Sequence, residues 1–495
     1  MQGVKWLCGV WMTAAVMAAA LPAGAQESFV STTREQITLT IYDQNFALVS
    51  ERRPLTLKQG RNEVVLLDIS PMLDTQSLWL QWVGRPAPAE ILAHTYDMGV
   101  QDGDSLLRRY LGKQVELLQY GSDGRVIGVL EGRLISMDAN RLILEASPLS
   151  TIASAVPQLP RRAIYVNPQG TLRLPVEADM PLIPALRLQV QAPNEGNAAL
   201  TVSYLTGGLD WDADYIAVLR GENALKLECW ATVTNQTGLT FPNARVSLAT
   251  GVAPPESVQV AFGRAESFEW RDRPAVGAIA RRIVPQPLGE VYTYPLAQPV
   301  SIQDARQSRL LLHEAPQVPV QKRYIYRAPS LWANAAPGIG KEVRRDKAEV
   351  SLVLENRKEH GLGIPLPNGS VRLYETDSNG TPRYLGTASL SATPVNQKIT
   401  LQVGQAFDIT GEWQPLRQKV LGRGKVEYEV QITLRNAKSQ PVQVLVVQPF
   451  GGGWTILNST QPYTRASATA AQWTLKVPAG GATSVRFTVR VQSAQ

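Results

Sequence analysis

Apolar and polar residues alternate through four successive runs between Leu200 and Gly251. Leu200, Val202 and Tyr204 share a face in the first run, and Trp211, Ala213, Tyr215, Ala217 and Leu219 in the second. Leu225, Leu227, Cys229, Ala231 and Val233 follow in the third, and Ala244, Val246 and Leu248 in the fourth. A side-chain period of two marks a strand with one face in a core. Gly207-Gly208, Gly221-Glu222-Asn223 and Asn235-Gln236-Thr237-Gly238 punctuate the runs, so the four read as consecutive antiparallel strands.

The same pattern extends over most of the chain. Ile37 to Val83 gives short sandwich strands broken at Asp43-Gln44-Asn45, Lys58-Gln59-Gly60 and Ser70-Pro71. Residues 104–146 begin with a helical turn or two and continue as closely spaced hairpins, turning at Ser122-Asp123-Gly124 and Asp138-Ala139-Asn140. That spacing predicts a small β-barrel-like module inserted in a larger domain. Strands resume from Leu172 to Val190, whereas Pro254 to Glu290 holds no sustained period and reads as a long loop. Strand character returns at Val291 to Tyr324 and, beyond a Pro/Gly/Ala-rich break at Ala328 to Gly340, at Ala348 to Glu355. A hairpin turns at Asn379-Gly380. Val426, Tyr428, Val430, Ile432 and Leu434, then Val485, Phe487, Val489 and Val491, each face polar neighbours. With Val442 to Val447 and Trp473 to Val477 they predict an immunoglobulin-like sandwich over 411–495.

The fold class is therefore all-β, several antiparallel sandwich modules joined in one chain. The expected divisions are a leader at 1–25, N-terminal strands at 26–100, the small module at 101–150 and completing strands at 151–253. The loop at 254–290, a β region at 291–410 and the sandwich at 411–495 follow.

The leader changes the picture from fold to compartment. Lys5, the apolar run Val10 to Leu21 and Ala23-Gly24-Ala25 have the order of a secretory signal cleaved before Gln26. The run is shorter than the roughly 20 apolar residues of a membrane span, and Pro22 closes it. Cys8 precedes the run rather than following it, which disfavours lipid attachment. A periplasmic or secreted protein with no transmembrane segment in its mature chain is expected. Cys229 is then the remaining cysteine, on the apolar side of its run, and reads as a small buried hydrophobe without a disulfide partner. The formal net charge of +7 permits loose attraction to acidic polymers or anionic envelope surfaces. The basic residues are scattered among acids with no basic helix, which argues against specific nucleic-acid binding.

Candidate chemistry is sparse. Asp210, Asp212 and Asp214 project from one side of an extended strand and are the best place for a cation. An EF-hand is excluded because Tyr215 stands where its glycine belongs and Gly221 where its glutamate belongs. The bland reading is a solvent-facing strand start, and no metal or other cofactor is expected. Trp211 and Tyr215, four apart, and Trp230 on a polar side read first as core packing or a covered sheet face, with stacking on a sugar as the alternative. The candidate ligand-binding residues are thus Trp211, Asp212, Asp214, Tyr215 and Trp230. His94, His313 and His360 are far apart, and neither a zinc spacing nor a Gly-x-Ser-x-Gly elbow occurs. Gly422-Arg423-Gly424-Lys425 and Gly338-Ile339-Gly340-Lys341 lack the full spacing of a phosphate loop and read as turns. No catalytic residue is assigned.

SYLTGGLDWDADYIAVL followed by LECWATVTNQTGLTFPNARVSLATG resembles the DUF4139 family, bacterial exported proteins carrying a domain of unknown function. VYTYPLAQPVSI, LPNGSVRLYETDSNG, QAFDITGEW and YEVQITLRNAKSQPVQVLVVQPFGGGWTI resemble later blocks of that family in order. The resemblance implies fold and compartment and supplies no catalytic residues. The functional expectation is a non-enzymatic envelope binding or assembly factor, with envelope proteins or acidic polysaccharide as partners. The alternative is a carbohydrate-active hydrolase using paired carboxylates such as Asp212 and Asp214.

Overall fold

The alternating runs become strands in the computed structural model, which describes residues 28–84, 87–100, 103–138, 141–146, 163–176, 182–253, 255–256, 285–288, 291–333, 343–377 and 379–493. The expected leader and most of the expected 254–290 loop lie outside the described residues. The chain is nearly all β, in several mostly antiparallel sheets. No helix among the described residues is long and apolar enough to cross a membrane. The chain divides into two compact units, one holding Arg53–Ile69 and Gln81–Leu200 with the described residues up to Thr33. The other holds Arg34–Arg52, Ser70–Leu80 and Thr201–Gln495.

The first unit carries a four-stranded sheet in the order Ser28–Ser31, Gly60–Leu66, Ala185–Ala192, Glu90–Asp97. Its small module is a five-stranded antiparallel sheet in the order Ala163–Val166, Arg141–Ala146, Val126–Asp138, Gln114–Tyr120, Thr171–Arg173. Leu117, Leu130, Leu134 and Leu144 of that sheet pack with Tyr110, which follows the short helix Gly103–Arg108. The strand order is linear and ends in strands of four and three residues, so the sheet stays open.

The second unit holds the regions richest in alternation. A five-stranded sheet runs Arg306–Pro319, Ala224–Asn235, Leu209–Arg220, Gly369–Thr376, Pro382–Leu390. Its last two strands are the hairpin expected at Asn379-Gly380. A nine-stranded sheet runs Gly453–Ser459, Ala482–Gln492, Lys425–Asn436, Lys398–Gly422, Arg344–Glu355, Gln321–Arg327, Val442–Pro449, Ala470–Val477, Thr464–Ser467. Ala470–Val477 also contacts Lys425–Asn436 and Ala482–Gln492, so the sheet doubles over a shared core that includes Val430, Ile432, Val444, Val446, Trp473 and Phe487. The sandwich thus draws in Gln321–Arg327 and Arg344–Glu355 as well as strands beyond residue 411.

All four runs between Leu200 and Gly251 form strands, with their apolar positions buried. Their pairing differs from four consecutive antiparallel neighbours. Only Leu209–Arg220 and Ala224–Asn235 pair with each other. Gly196–Gly207 and Phe241–Ala249 belong to a separate sheet, where Phe241–Ala249 lies parallel to Glu35–Tyr42. The turn residues at Gly207-Gly208 and Asn235 to Thr240 therefore build arches that carry the chain from one sheet to another, not hairpins.

The physical reason is a buried amide. Asn235 donates from Nδ2 to the carbonyls of Leu239 (2.9 Å) and Ile302 (3.3 Å), while its Oδ1 accepts from the Thr237 N–H (3.1 Å) and hydroxyl (2.8 Å). The device recurs where Arg344–Glu355 leaves the nine-stranded sheet. Asn356 donates to Ile364 O (2.7 Å), Thr393 O (3.2 Å) and Pro394 O (3.0 Å), and accepts from Gly363 N (2.9 Å). It recurs again at the end of Lys425–Asn436. Asn436 donates to Gln440 O (2.8 Å), Pro478 O (3.1 Å) and Val477 O (3.4 Å), and accepts from Lys438 N (3.0 Å). The three side chains are buried, and each pairs backbone groups that neither a helix nor a ladder could satisfy at an arch.

Asn436→Ala should lower the denaturant stability of the C-terminal sheet by about 3 kcal/mol, at about 1 kcal/mol for each of the two Nδ2 protons, shared over three carbonyls, and for the Oδ1 acceptor. Asn458→Ala, at an exposed strand position, should stay within about 0.5 kcal/mol of wild type. Equal effects of the two substitutions in a urea titration would refute the role given to Asn436.

Candidate functional site

The hairpin that carries every candidate residue is in register through Trp211 opposite Val233, Asp212 opposite Thr232, Asp214 opposite Trp230 and Tyr215 opposite Cys229. The strand period sends Trp211 and Tyr215 to one face, and Asp210, Asp212, Asp214 and Trp230 to the other.

The first face is core. Trp211 is 2% exposed and Tyr215 0%. The Trp211 indole donates to Ala249 O (3.0 Å) and meets the Tyr294 ring edge-on at 6.0 Å. The Tyr215 hydroxyl donates to Pro367 O (2.6 Å). Neither ring presents a face on which a sugar could stack, so these two sequence candidates become structural residues. Their polar atoms are spent on backbone carbonyls. Cys229 is buried beside Tyr215, and desolvation pushes its thiol up to about 12, which leaves it in the unreactive protonated form.

The second face carries ion pairs and hydrogen bonds around Asp214, Glu228 and Trp230, while Arg309 Nε and Nη2 are buried without hydrogen-bond partners among the described residues. Asp214 accepts from Arg372 Nη1 (2.9 Å) at one oxygen and from the Thr232 hydroxyl (2.6 Å) at the other. The Trp230 indole donates to Glu228 (2.9 Å), and the Arg309 guanidinium lies 5.1 Å from the centre of the Trp230 ring. Lys226 bridges Glu228 and Glu314 at 2.7 Å each. Burial opposes ionisation of Glu228, but Lys226 and the Trp230 N–H outweigh it and hold the carboxyl below its usual range. Asp212, Asp214 and Trp230 are thus brought together as expected of one face. Arg309 and Arg372 were not legible, since they arrive on flanking strands far along the chain. The polar half of their neighbour was legible, in the alternation Lys226, Glu228, Trp230, Thr232.

At the start of the hairpin Asp210 Oδ1 accepts from the backbone N–H groups of Trp211 (2.9 Å) and Asn45 (3.2 Å). Burial, and after it the charges of Asp212 and Asp43, raise the Asp210 carboxyl above its ordinary value. Asp212 is raised by burial and then by Asp214, and Asp43 by burial with a contribution from Asp212. These acids crowd one another, yet no group of three or more His, Cys, Asp or Glu among the described residues has a geometry that would hold a metal ion. His313 and His360 pair with the carbonyls of Gly361 (2.8 Å) and Glu355 (3.3 Å) and stand apart from the acids in sequence.

The raised acids give a pH dependence of definite sign. A carboxyl whose pKa is higher in the fold keeps its proton longer there than in the unfolded chain, so its ionisation lowers stability as pH rises through the folded value. Asp210→Asn keeps an acceptor for the two N–H groups and removes the charge. It should raise the thermal midpoint at about pH 7 and lose that advantage at about pH 3, where Asp210 is protonated in wild type. A variant less stable at both pH values would contradict the crowding.

None of the curated proteins matches the chain. The family described as "Domain of unknown function (DUF4139)" matches residues 200–495, which take in the hairpin, the five- and nine-stranded sheets and all three arch asparagines. That match covers more than half of the chain, and the protein belongs to the DUF4139 family.

Proposed function

We propose that this DUF4139 protein is exported to the periplasm or beyond and serves there as a non-enzymatic binding or assembly factor of the cell envelope. The leader pattern of Lys5, Val10 to Leu21 and Ala23-Gly24-Ala25 supports the compartment. The observation that carries the role is the fate of the hairpin carboxylates. Asp214 is occupied by Arg372 and Thr232, and Asp210 by two backbone N–H groups.

Glycoside hydrolysis needs two carboxyls roughly 5 to 10 Å apart on opposite sides of a scissile bond. Asp212 and Asp214 stand side by side on one face of one strand, and Trp211 and Tyr215 lie beneath them in the core. A face of paired charges around a half-buried Trp230 suits reversible contact with another surface better than proton transfer. Envelope proteins and acidic polysaccharides are the partner classes that fit an exported chain of net positive charge.

The decisive assay incubates the purified protein with isolated cell-wall sacculi and follows co-sedimentation together with release of reducing ends. Retention without release is expected, unchanged in turnover by Asp212→Asn or Asp214→Asn. Release of reducing ends that disappears in either variant would replace this reading with the hydrolase.

A further inference from the structure

We infer that a polar cleft in the second unit, remote in register from the Asp212 face, is a binding site for an acidic polysaccharide. The inference rests on the binding role proposed above and names a ligand class and place for it. The cleft encloses about 950 Å³ between the Gly221 turn and the first residues of Gln321–Arg327 and Val442–Pro449. This lies at the upper end of the roughly 300–1,000 Å³ range of ligand sites, room for a segment of a chain rather than a single small metabolite.

The strand register explains why its wall is polar. Tyr324 pairs with Val444, and both side chains enter the core of the doubled sheet. The period of two then turns Arg323 and Gln443 outward. One strand further, Leu445 pairs with Thr474 and Val447 with Gln472, which adds a hydroxyl and a second amide to the same side. The Gly221 turn is tied against this wall by the Val320 N–H, which donates to Asn223 O (2.9 Å), and it brings Glu222 to the rim. Opposite, Asp408 and Lys438 close an ion pair at 3.4 Å.

The chemistry of the wall selects among ligands. Side-chain amides offer a donor and an acceptor side by side, the complement of adjacent sugar hydroxyls. Of the lining charges, Asp408 and Lys438 cancel, and Lys322 and Arg323 outnumber Glu222. Arg323 is oriented by Gln321, whose oxygen accepts from Nε (3.1 Å) and Nη2 (2.8 Å). Lys322 has no ion-pair partner among the described residues and is exposed. An excess of one cation suits a carboxylate-bearing glycan. It is too little for nucleic acid, whose affinity comes from neutralising several phosphates at once. An extended peptide needs apolar pockets for alternate side chains, and here Val320 and Tyr324 are buried, leaving Pro441, Val442 and Leu445 as the apolar part of a mostly polar wall.

The test is calorimetric titration of the full chain with oligogalacturonate, with dextran of equal length as the uncharged control and an oligoglutamate peptide as the non-glycan control. Saturable binding of oligogalacturonate is expected, weakened at least about tenfold by Gln443→Ala with Gln472→Ala and by Lys322→Glu. Dextran should bind more weakly, and circular dichroism of the variants should match wild type. No saturable binding of oligogalacturonate, or binding equal in wild type and variants, overturns the assignment. So does oligoglutamate binding with the same variant sensitivity and in place of the glycan, which would give the cleft to a protein ligand. Retention on sacculi with no response to these variants would remove the cleft while leaving the proposed binding role intact.

Discussion

Three buried amides hold the route of the chain. Asn235 and Asn356 stand where the chain passes from one sheet to another, Asn436 where it crosses between the two halves of the doubled nine-stranded sheet, and each pairs the carbonyls and N–H groups that the crossing would otherwise strand in the interior. An apolar residue could fill the same space but would leave those groups without partners, a cost of about 1–3 kcal/mol for each. Because the crossings are fixed, Leu209–Arg220 and Ala224–Asn235 are held as a hairpin in one sheet while the strands before and after them lie in another. The two faces of that hairpin acquire different fates for this reason. One is sealed against neighbouring core, and the other remains open to the charges on Arg306–Pro319 and Gly369–Thr376.

A second buried polar contact secures the other end of the same region. Arg34 and Glu51 form an ion pair at 2.7 Å with side chains 7% and 0% exposed. The Arg34 guanidinium also donates to Thr240 O (3.0 Å) and lies 5.1 Å from the centre of the Phe241 ring. It therefore clasps the outgoing limb of the Asn235 arch just before Phe241–Ala249 begins. A pair desolvated to this degree adds little against well-packed hydrophobes, but removing one partner would leave a buried charge. Its contribution here is to fix one arrangement of the arch.

The strands were legible because burial on one face imposes a period of two, and the sequence between Leu200 and Gly251 keeps it without interruption. That same period placed Trp211 with Tyr215 and the aspartates with Trp230 on opposite sides. It did not tell which side another layer would cover, so aromatic residues of the core entered the list of ligand candidates. Asn235-Gln236-Thr237-Gly238 has the composition of a hairpin turn, and composition does not distinguish a turn that reverses within a sheet from one that crosses to another. The distinction depends on Ile302, whose carbonyl the Asn235 amide reaches across 67 positions of sequence. Arg372 on Asp214 and the amide wall of the cleft were hidden for the same reason, because strands distant in the chain bring them together. The family blocks were legible in order, and the family match covers the region in which all three asparagines lie.

Amide hydrogen exchange, resolved to single residues in the intact chain, tests the dependence on these asparagines most directly. The N–H groups of Thr237, Gly363 and Lys438 lie in loops but donate to Asn235, Asn356 and Asn436. They should exchange as slowly as the strands they adjoin, while neighbouring loop amides exchange freely. Exchange of those three at the rate of their loop neighbours would contradict the account.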